Sequence, residues 1–141
     1  MERMSDEEWR AFALAGTRTG KLGVTLSDGA PHVTPIWFLL DGDAVVFNTS
    51  ETGLKARALR RDPRAVLCVD DQTPPYSYVV VKGRASISVD LEEMLAWAVE
   101  IGRRYMGDER AQEFGTRNAV PGECLVRLRI DKVIAQRAIA G

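Results

Sequence analysis

The residues best suited to chemistry lie in Phe47-Asn48-Thr49-Ser50-Glu51-Thr52-Gly53-Leu54-Lys55. A predicted strand ends there in small hydrogen-bonding side chains and runs straight into the start of a helix. The free N–H groups and the dipole at a helix N-terminus favour an anion, and Lys55 adds a positive charge in the first turn. The competing reading is an ordinary strand-to-helix turn with capping residues. The helix continues the basic theme, because Lys55, Arg57, Arg60, Arg61 and Arg64 fall within ten positions beside a single acid, Asp62. Helical spacing puts Lys55 with Leu59 and Arg57 with Arg61, so the five cations do not share a face. Most of such a run is expected to be solvated, with one or two members free to meet a phosphate or an anionic tail.

A second candidate is Pro31-His32-Val33-Thr34-Pro35-Ile36-Trp37-Phe38-Leu39-Leu40. Pro35 has no N–H to give to a ladder, so this strand lies at an edge or bends there. A flat ligand can meet exposed backbone at such a place. Trp37 and Phe38 point to opposite faces, one toward a pocket or both into the core. His32 reads as an exposed strand residue without catalytic partners. The two cysteines, Cys68 and Cys124, read as small hydrophobes. No Ser–His–Asp set, Gly-x-Gly-x-x-Gly or phosphate-cradling glycine loop is present, and Asp70-Asp71 and Glu92-Glu93 look like surface acids. Side-chain acid–base chemistry is poorly supported, which leaves a pocket for something flat and anionic.

Composition narrows the choice. With 141 residues, 45% hydrophobic and 28% charged, the chain is expected to form one domain, 1–141, with a real core. A net charge of −1 argues against a general nucleic-acid binder. One His and two Cys argue against a multi-histidine or four-thiolate metal site. No apolar run approaches the ~20 residues of a membrane span, and the acidic start Met1-Glu2-Arg3-Met4-Ser5-Asp6-Glu7-Glu8 is unlike a signal peptide. A cytoplasmic protein with reduced thiols is expected. The near-zero charge is a sum of unlike parts: an acidic N-terminal helix and an acidic 90–113 region offset the cationic 55–64 stretch.

The elements that must position these residues alternate quickly. Residues 5–16 predict a helix, N-capped by Ser5 with Glu8 completing a capping box; Trp9, Phe12 and Ala13 form its apolar face. Strands are predicted over Lys21–Leu26, Pro31–Leu40 and Ala44–Thr49, joined by turns at Ser27-Asp28-Gly29 and Asp41-Gly42-Asp43. A helix over Thr52–Arg61, with Leu54, Ala58 and Leu59 as its stripe, stops at Asp62-Pro63. Strands Arg64–Val69 and Tyr76–Val89 follow, the second with a bulge or close approach at Gly83. Asp90, paired with Glu93, caps a helix to about Arg104 whose stripe is Leu91, Met94, Leu95, Ala98, Ile101 and Tyr105. A short helix over Glu109–Thr116 and a last strand over Cys124–Ala138 complete the chain. Six mostly antiparallel strands with short connections predict a small barrel, which removes exposed sheet edges.

The chain resembles the pyridoxamine 5′-phosphate oxidase-like, flavin-binding split-barrel family, and within it the actinobacterial branch that uses the deazaflavin coenzyme F420. The resemblance runs through Thr17-Arg18-Thr19-Gly20-Lys21-Leu22, Asp28-Gly29-Ala30-Pro31-His32-Val33, Pro35-Ile36-Trp37-Phe38 and Leu59-Arg60-Arg61-Asp62-Pro63-Arg64. It continues in Cys68-Val69-Asp70-Asp71 with Pro74-Pro75, in Arg104-Tyr105-Met106-Gly107 and in Val120-Pro121-Gly122-Glu123. It implies a mainly β, α+β fold: a six-stranded antiparallel split β-barrel with Greek-key character and flanking helices. It also implies a homodimer with cofactor at the interface, and hydride transfer.

By that resemblance Thr34, Pro35, Ile36 and Trp37 run along the cofactor ring, and Asn48, Thr49 and Ser50 contact the ring and its ribityl-phosphate arm. Lys55 matches the phosphate-binding lysine, and Ser77 and Tyr78 reach the cofactor from the second subunit. The flavin mononucleotide (FMN) oxidases carry basic residues where this chain has Thr34 and Leu39, a Ser-Arg pair where it has Gly53-Leu54, and a glutamine where it has Tyr78. The phosphate-holding cluster is thus reduced to Lys55 with Arg60 or Arg57. One lysine holds a terminal phosphate dianion weakly, whereas a deazaflavin carries its phosphate inside a longer anionic tail that can spread along a basic helix. The implied function is F420-dependent hydride transfer to a small conjugated substrate. The alternatives are an FMN-dependent oxidoreductase and a non-catalytic cofactor- or tetrapyrrole-binding protein on the same barrel. No catalytic residue is assigned, since the cofactor carries the chemistry.

Overall fold

In the computed structural model, which describes residues 2–141, Ser5 caps helix α1 (Asp6–Leu14) through the full capping box with Glu8. Strands β2 (Gly20–Thr25) and β3 (Pro31–Ile36) then form a hairpin around Gly29, whose φ of +86° suits the turn. β4 (Leu39–Asp41) and β5 (Ala44–Ser50) form a second, tighter hairpin at Gly42. Helix α2 (Leu54–Arg61), strand β6 (Arg64–Asp71) and the long strand β7 (Ser77–Ser88) follow. Helices α3 (Leu91–Met106) and α4 (Ala111–Asn118), joined by a 3-10 turn at Asp108–Arg110, precede the last strand, β8 (Glu123–Arg137). A two-residue strand β1 (Glu2–Arg3) pairs with the end of β8.

The sheet is antiparallel throughout, in the order β3-β2-β6-β7-β8-β5-β4. This is the mainly β split barrel, with eight strands where six were expected. One addition is β1. The other arises because the strand predicted over Pro31–Leu40 is two strands interrupted at Trp37-Phe38. β3 pairs with β2, and β4 pairs with β5, at opposite ends of the sheet. The two edges of the sheet are therefore joined by the chain itself, with no ladder between them, and this is the split.

The barrel interior follows the period of two. Leu22, Val24, Leu67, Val69, Val79, Val81, Phe47, Val126 and Leu128 are all buried in one cluster with Phe38. Trp9 and Ala13 of α1, with Ala56, Ala58 and Leu59 of α2, join that cluster. Leu54 does not join the α2 stripe: it stands 42% exposed at the first helical position, and Ala56 takes the buried place. Helix α3 packs outside the barrel, where Met94 meets Val46 and Leu125. Leu91 and Leu95 of the predicted stripe are exposed, because only the Met94, Ala98 and Ile101 side faces the sheet. The Asp90–Glu93 pair also differs from expectation. Asp90 accepts from the Glu92 N–H, while Glu93 turns to Arg127 (2.9 Å) and to the Ser88 hydroxyl (3.1 Å), fastening α3 to the barrel wall.

Gly83 is the close approach that the sequence suggested. A β-carbon there would lie 2.0 Å from the Arg129 carbonyl oxygen, and the β7–β8 register shifts between Lys82 and Gly83. No helix among the described residues is long and apolar enough to cross a membrane.

Candidate functional site

Beside the split lies a cavity of about 260 Å³ lined by Pro35, Ile36, Trp37, Asn48, Thr49, Lys55, Ile101 and Asn118. The end of β3 and the first residue of the break supply Pro35, Ile36 and Trp37, and the end of β5 supplies Asn48 and Thr49. Lys55 enters from the first turn of α2, while Ile101 and Asn118 come from α3 and α4. The cavity exists because two hairpins that close tightly elsewhere separate here.

Its electrostatics are simple. Lys55 is the one cation lining it, and among the described residues Lys55 makes no ion pair or side-chain hydrogen bond. Gly53 occupies the N-cap of α2 and no side chain caps that helix. The side-chain caps of the competing reading are therefore absent, and the first N–H groups of α2 are left without intrahelical partners next to Lys55. Three buried side-chain atoms among the described residues have no hydrogen-bond partner: Thr34 Oγ1, Asn48 Nδ2 and Asn48 Oδ1. Buried polar groups are nearly always paired. An amide with both ends unpaired, in the wall of a cavity, fits a ligand that offers both a donor and an acceptor. The residues present thus suit a flat heteroaromatic group bearing an anionic arm.

The remaining site residues separate into two sets. Thr34 and Ser50 adjoin the lining, Thr34 with its orphaned hydroxyl and Ser50 exposed at the end of β5. Arg60 turns away, since its guanidinium donates to the Glu51 carbonyl (2.7 Å) and sits 3.8 Å from the Glu51 carboxylate. Arg61 donates to the Thr25 carbonyl and Arg64 pairs with Asp62 at 2.7 Å, so of the basic run only Lys55 reaches the cavity. Ser77 and Tyr78 lie at the start of β7, opposite Asp71 and Asp70, and do not line the cavity of their own chain.

Sequence reasoning missed Ile101 and Asn118 as lining residues. Ile101 was visible only as part of an apolar stripe, and nothing local ties Asn118 to Trp37. The thiols offer no alternative chemistry, because burial pushes both Cys68 and Cys124 above the usual thiol range. A roomier recess at Thr17, Arg18, Lys21, Asp70 and Asp71 is internally neutralised by the Arg18–Asp71 (3.4 Å) and Lys21–Asp70 (2.9 Å) pairs. Among the described residues there is no group of three or more His, Cys, Asp or Glu able to hold a metal.

An eight-stranded antiparallel sheet split at one strand, flanked by four helices and bearing a cavity at the split, defines a split β-barrel. The chain belongs to the pyridoxamine 5′-phosphate oxidase family, whose sequence profile matches residues 5–137. Solved structures agree. The chain is similar to a conserved hypothetical protein from Mycobacterium tuberculosis, with 27% identity, a TM-score of 0.84, and 98% of this chain and 89% of the other covered. It is also similar in fold to an F420 reductase, with 22% identity, a TM-score of 0.69, and coverage of 87% and 94%. A FAD-binding protein from Mesorhizobium loti matches with 21% identity, a TM-score of 0.65, and 95% of each chain covered.

Proposed function

We propose that this protein is an oxidoreductase that uses the deazaflavin coenzyme F420 to deliver hydride to a small conjugated substrate. The observation that carries the reading is the charge of the cavity: one unpaired lysine, Lys55, beside the doubly unpaired amide of Asn48. A terminal phosphate dianion calls for several cations. A phosphate held within a longer tail needs fewer at one point; Arg57 and Arg61 line a separate recess on another face of α2, together with Asp28.

Bound in the cavity, the reduced coenzyme supplies the hydride. The residues of this chain orient it. Lys55 and the uncapped start of α2 neutralise its phosphate, Asn48 and Thr34 satisfy polar atoms of its ring system, and Pro35, Ile36 and Trp37 exclude water from the ring.

The same proposal includes a homodimer working in the cytoplasm. The outer face of β3, β2, β6 and β7 carries a groove of about 520 Å³ lined by Gly23, Val33, Val66 and Lys82 among others, and Val33 is 62% exposed. A second copy on that face covers its apolar surface.

The test is titration of the purified protein with F420 and with FMN, followed by oxidation of reduced F420 across a panel of conjugated substrates. Tighter binding of F420, with substrate-dependent oxidation, is expected. Tight FMN binding without F420 binding overturns the cofactor. F420 binding with no turnover on any substrate identifies a carrier instead of an enzyme.

A further inference from the structure

The break in the barrel leaves a problem that the sheet does not solve: Trp37 and Phe38 belong to neither ladder, so their backbone groups need partners from elsewhere. The Phe38 N–H donates to the Tyr105 hydroxyl oxygen at 3.2 Å, and the same hydroxyl donates to the Arg18 carbonyl at 2.8 Å. The Phe38 carbonyl accepts from Arg104 at 2.7 Å. Arg104 also donates to the carbonyls of Ala13 (2.8 Å), Gly16 (3.0 Å) and Arg18 (3.2 Å). No carboxylate among the described residues pairs with it. Its hydrogen bonds all go to carbonyls, including Ala13 in the last turn of α1, where the helix dipole is negative and no basic residue of α1 itself is present. The guanidinium carbon sits 4.8 Å from the centroid of the buried Phe38 ring.

The grip extends into the cavity. The Trp37 ring stacks on the Tyr105 ring, with centroids 5.1 Å apart and planes within 5°. The Phe114 ring closes another side at 5.7 Å. Trp37 is at once the first residue of the break and part of the cavity lining. One dipeptide of α3 therefore fixes both residues of the break, Phe38 through its backbone and Trp37 through its ring.

We propose that Arg104 and Tyr105 are positioning residues for the cofactor: they set the depth and tilt of Trp37 and thereby the width of the cavity at the split. The proposal rests on the reading of this cavity as the cofactor site, and two readouts separate the two claims. Tyr105→Phe removes the hydroxyl and keeps the ring stack, whereas Tyr105→Leu removes both. The first readout is the emission and acrylamide quenching of Trp37 in cofactor-free protein, isolated by subtracting a matched Trp37→Phe background so that Trp9 and Trp97 cancel. The second is F420 affinity.

Tyr105→Leu is expected to expose Trp37 to quencher and to weaken F420 binding about tenfold, while Tyr105→Phe stays within about threefold of wild type, the scale of a lost aromatic pair. Arg104→Lys keeps the charge but not the planar fork, and is expected to weaken binding about fivefold with a measurable Trp37 shift, which keeps the test alive should Tyr105→Leu fail to fold. Trp37 quenching unchanged in the folded variants overturns the positioning role whatever the cofactor. Equal loss of affinity in Tyr105→Phe and Tyr105→Leu assigns the effect to the hydroxyl and overturns the role given to the ring stack on Trp37. Altered Trp37 quenching in a protein whose wild type binds no F420 upholds the positioning of Trp37 and overturns the cofactor reading.

Discussion

Along β6, β7 and β8 the ladder is continuous: β7 pairs with β6 from Ser77 to Arg84 and with β8 from Tyr78 to Ser88, with one irregularity at Lys82/Gly83. Around Trp37-Phe38 the opposite holds. β4 is three residues long, β3 and β4 do not pair, and side chains from α3 supply the hydrogen bonds that strands supply elsewhere. The three unpartnered buried polar atoms among the described residues are side-chain atoms of Thr34 and Asn48, whose own strands, β3 and β5, are paired with β2 and β8 and flank the break. A closed wall satisfies its backbone internally and has nothing left to offer a ligand. An interrupted wall must borrow partners for its backbone, and the opening it makes is lined by side chains from the strands on either side. The cavity, its lone cation and its unpaired amide share that opening.

The comparison is sharpest where it separates stability from binding. In the wall, Gly83→Ala is expected to cost about 3 kcal/mol or more of folding stability, because its β-carbon would collide with backbone, the Arg129 carbonyl, and not with a flexible side chain. Urea unfolding measures this, and a loss under about 0.5 kcal/mol would mean that the wall yields at Gly83. In the interrupted region, Lys55→Ala is expected to weaken cofactor binding by about 1–3 kcal/mol, the scale of a lost charge-assisted hydrogen bond. Unfolding of the same variant should shift little; unchanged affinity in calorimetry would remove Lys55 from the site.

Asn48→Leu asks whether the two properties trade. Replacing an unpartnered buried amide with an apolar group of similar volume should raise stability by about 1 kcal/mol. The same change should weaken cofactor binding by a comparable amount. A variant less stable than wild type would show that the amide is already paired, by water, in the free protein.

The smallest effect belongs to the start of the wall. The Arg64 guanidinium and N–H hold the Asp62 carboxyl down from 3.8 to about 2. With the folded value below the unfolded one, this contribution is present above pH 3.8 and disappears as pH falls through about 2. An NMR titration of Asp62 should find its midpoint near 2, and a midpoint near 3.8 would show the pair with Arg64 unformed in solution.

Much of this was legible in the chain because it is local. The Ser5–Glu8 capping box, the glycine turns at Gly29 and Gly42, the stop at Asp62-Pro63 and the close approach at Gly83 depend on neighbours in sequence or on a residue that lacks a side chain. The period of two identified the inner faces of the strands for the same reason. The run from Asn48 to Lys55 identified itself through residue type. Pro35 announced that its strand was at an edge or bent, and it is an edge strand that stops one residue further on, at Ile36.

What the sequence left open needed distant partners. A continuous apolar run from Ile36 to Leu40 gives no sign of a break, because the break is caused by β3 and β4 pairing at opposite ends of the sheet. The basic run from Lys55 to Arg64 does not tell which cation faces the cavity. Glu51, Thr25 and Asp62 take Arg60, Arg61 and Arg64, and only the folded chain brings those acceptors into reach. Arg104 reads as the end of a helix and Tyr105 as the last of its stripe until packing sets them against residues 66 or more positions away. Composition and local pattern determined the strands, the turns and the anion-seeking helix start, since those rest on backbone geometry and neighbouring side chains. Tertiary structure alone decided where the barrel would fail to close, because that is settled by which edges pair across the whole chain, and the candidate site lies at that failure.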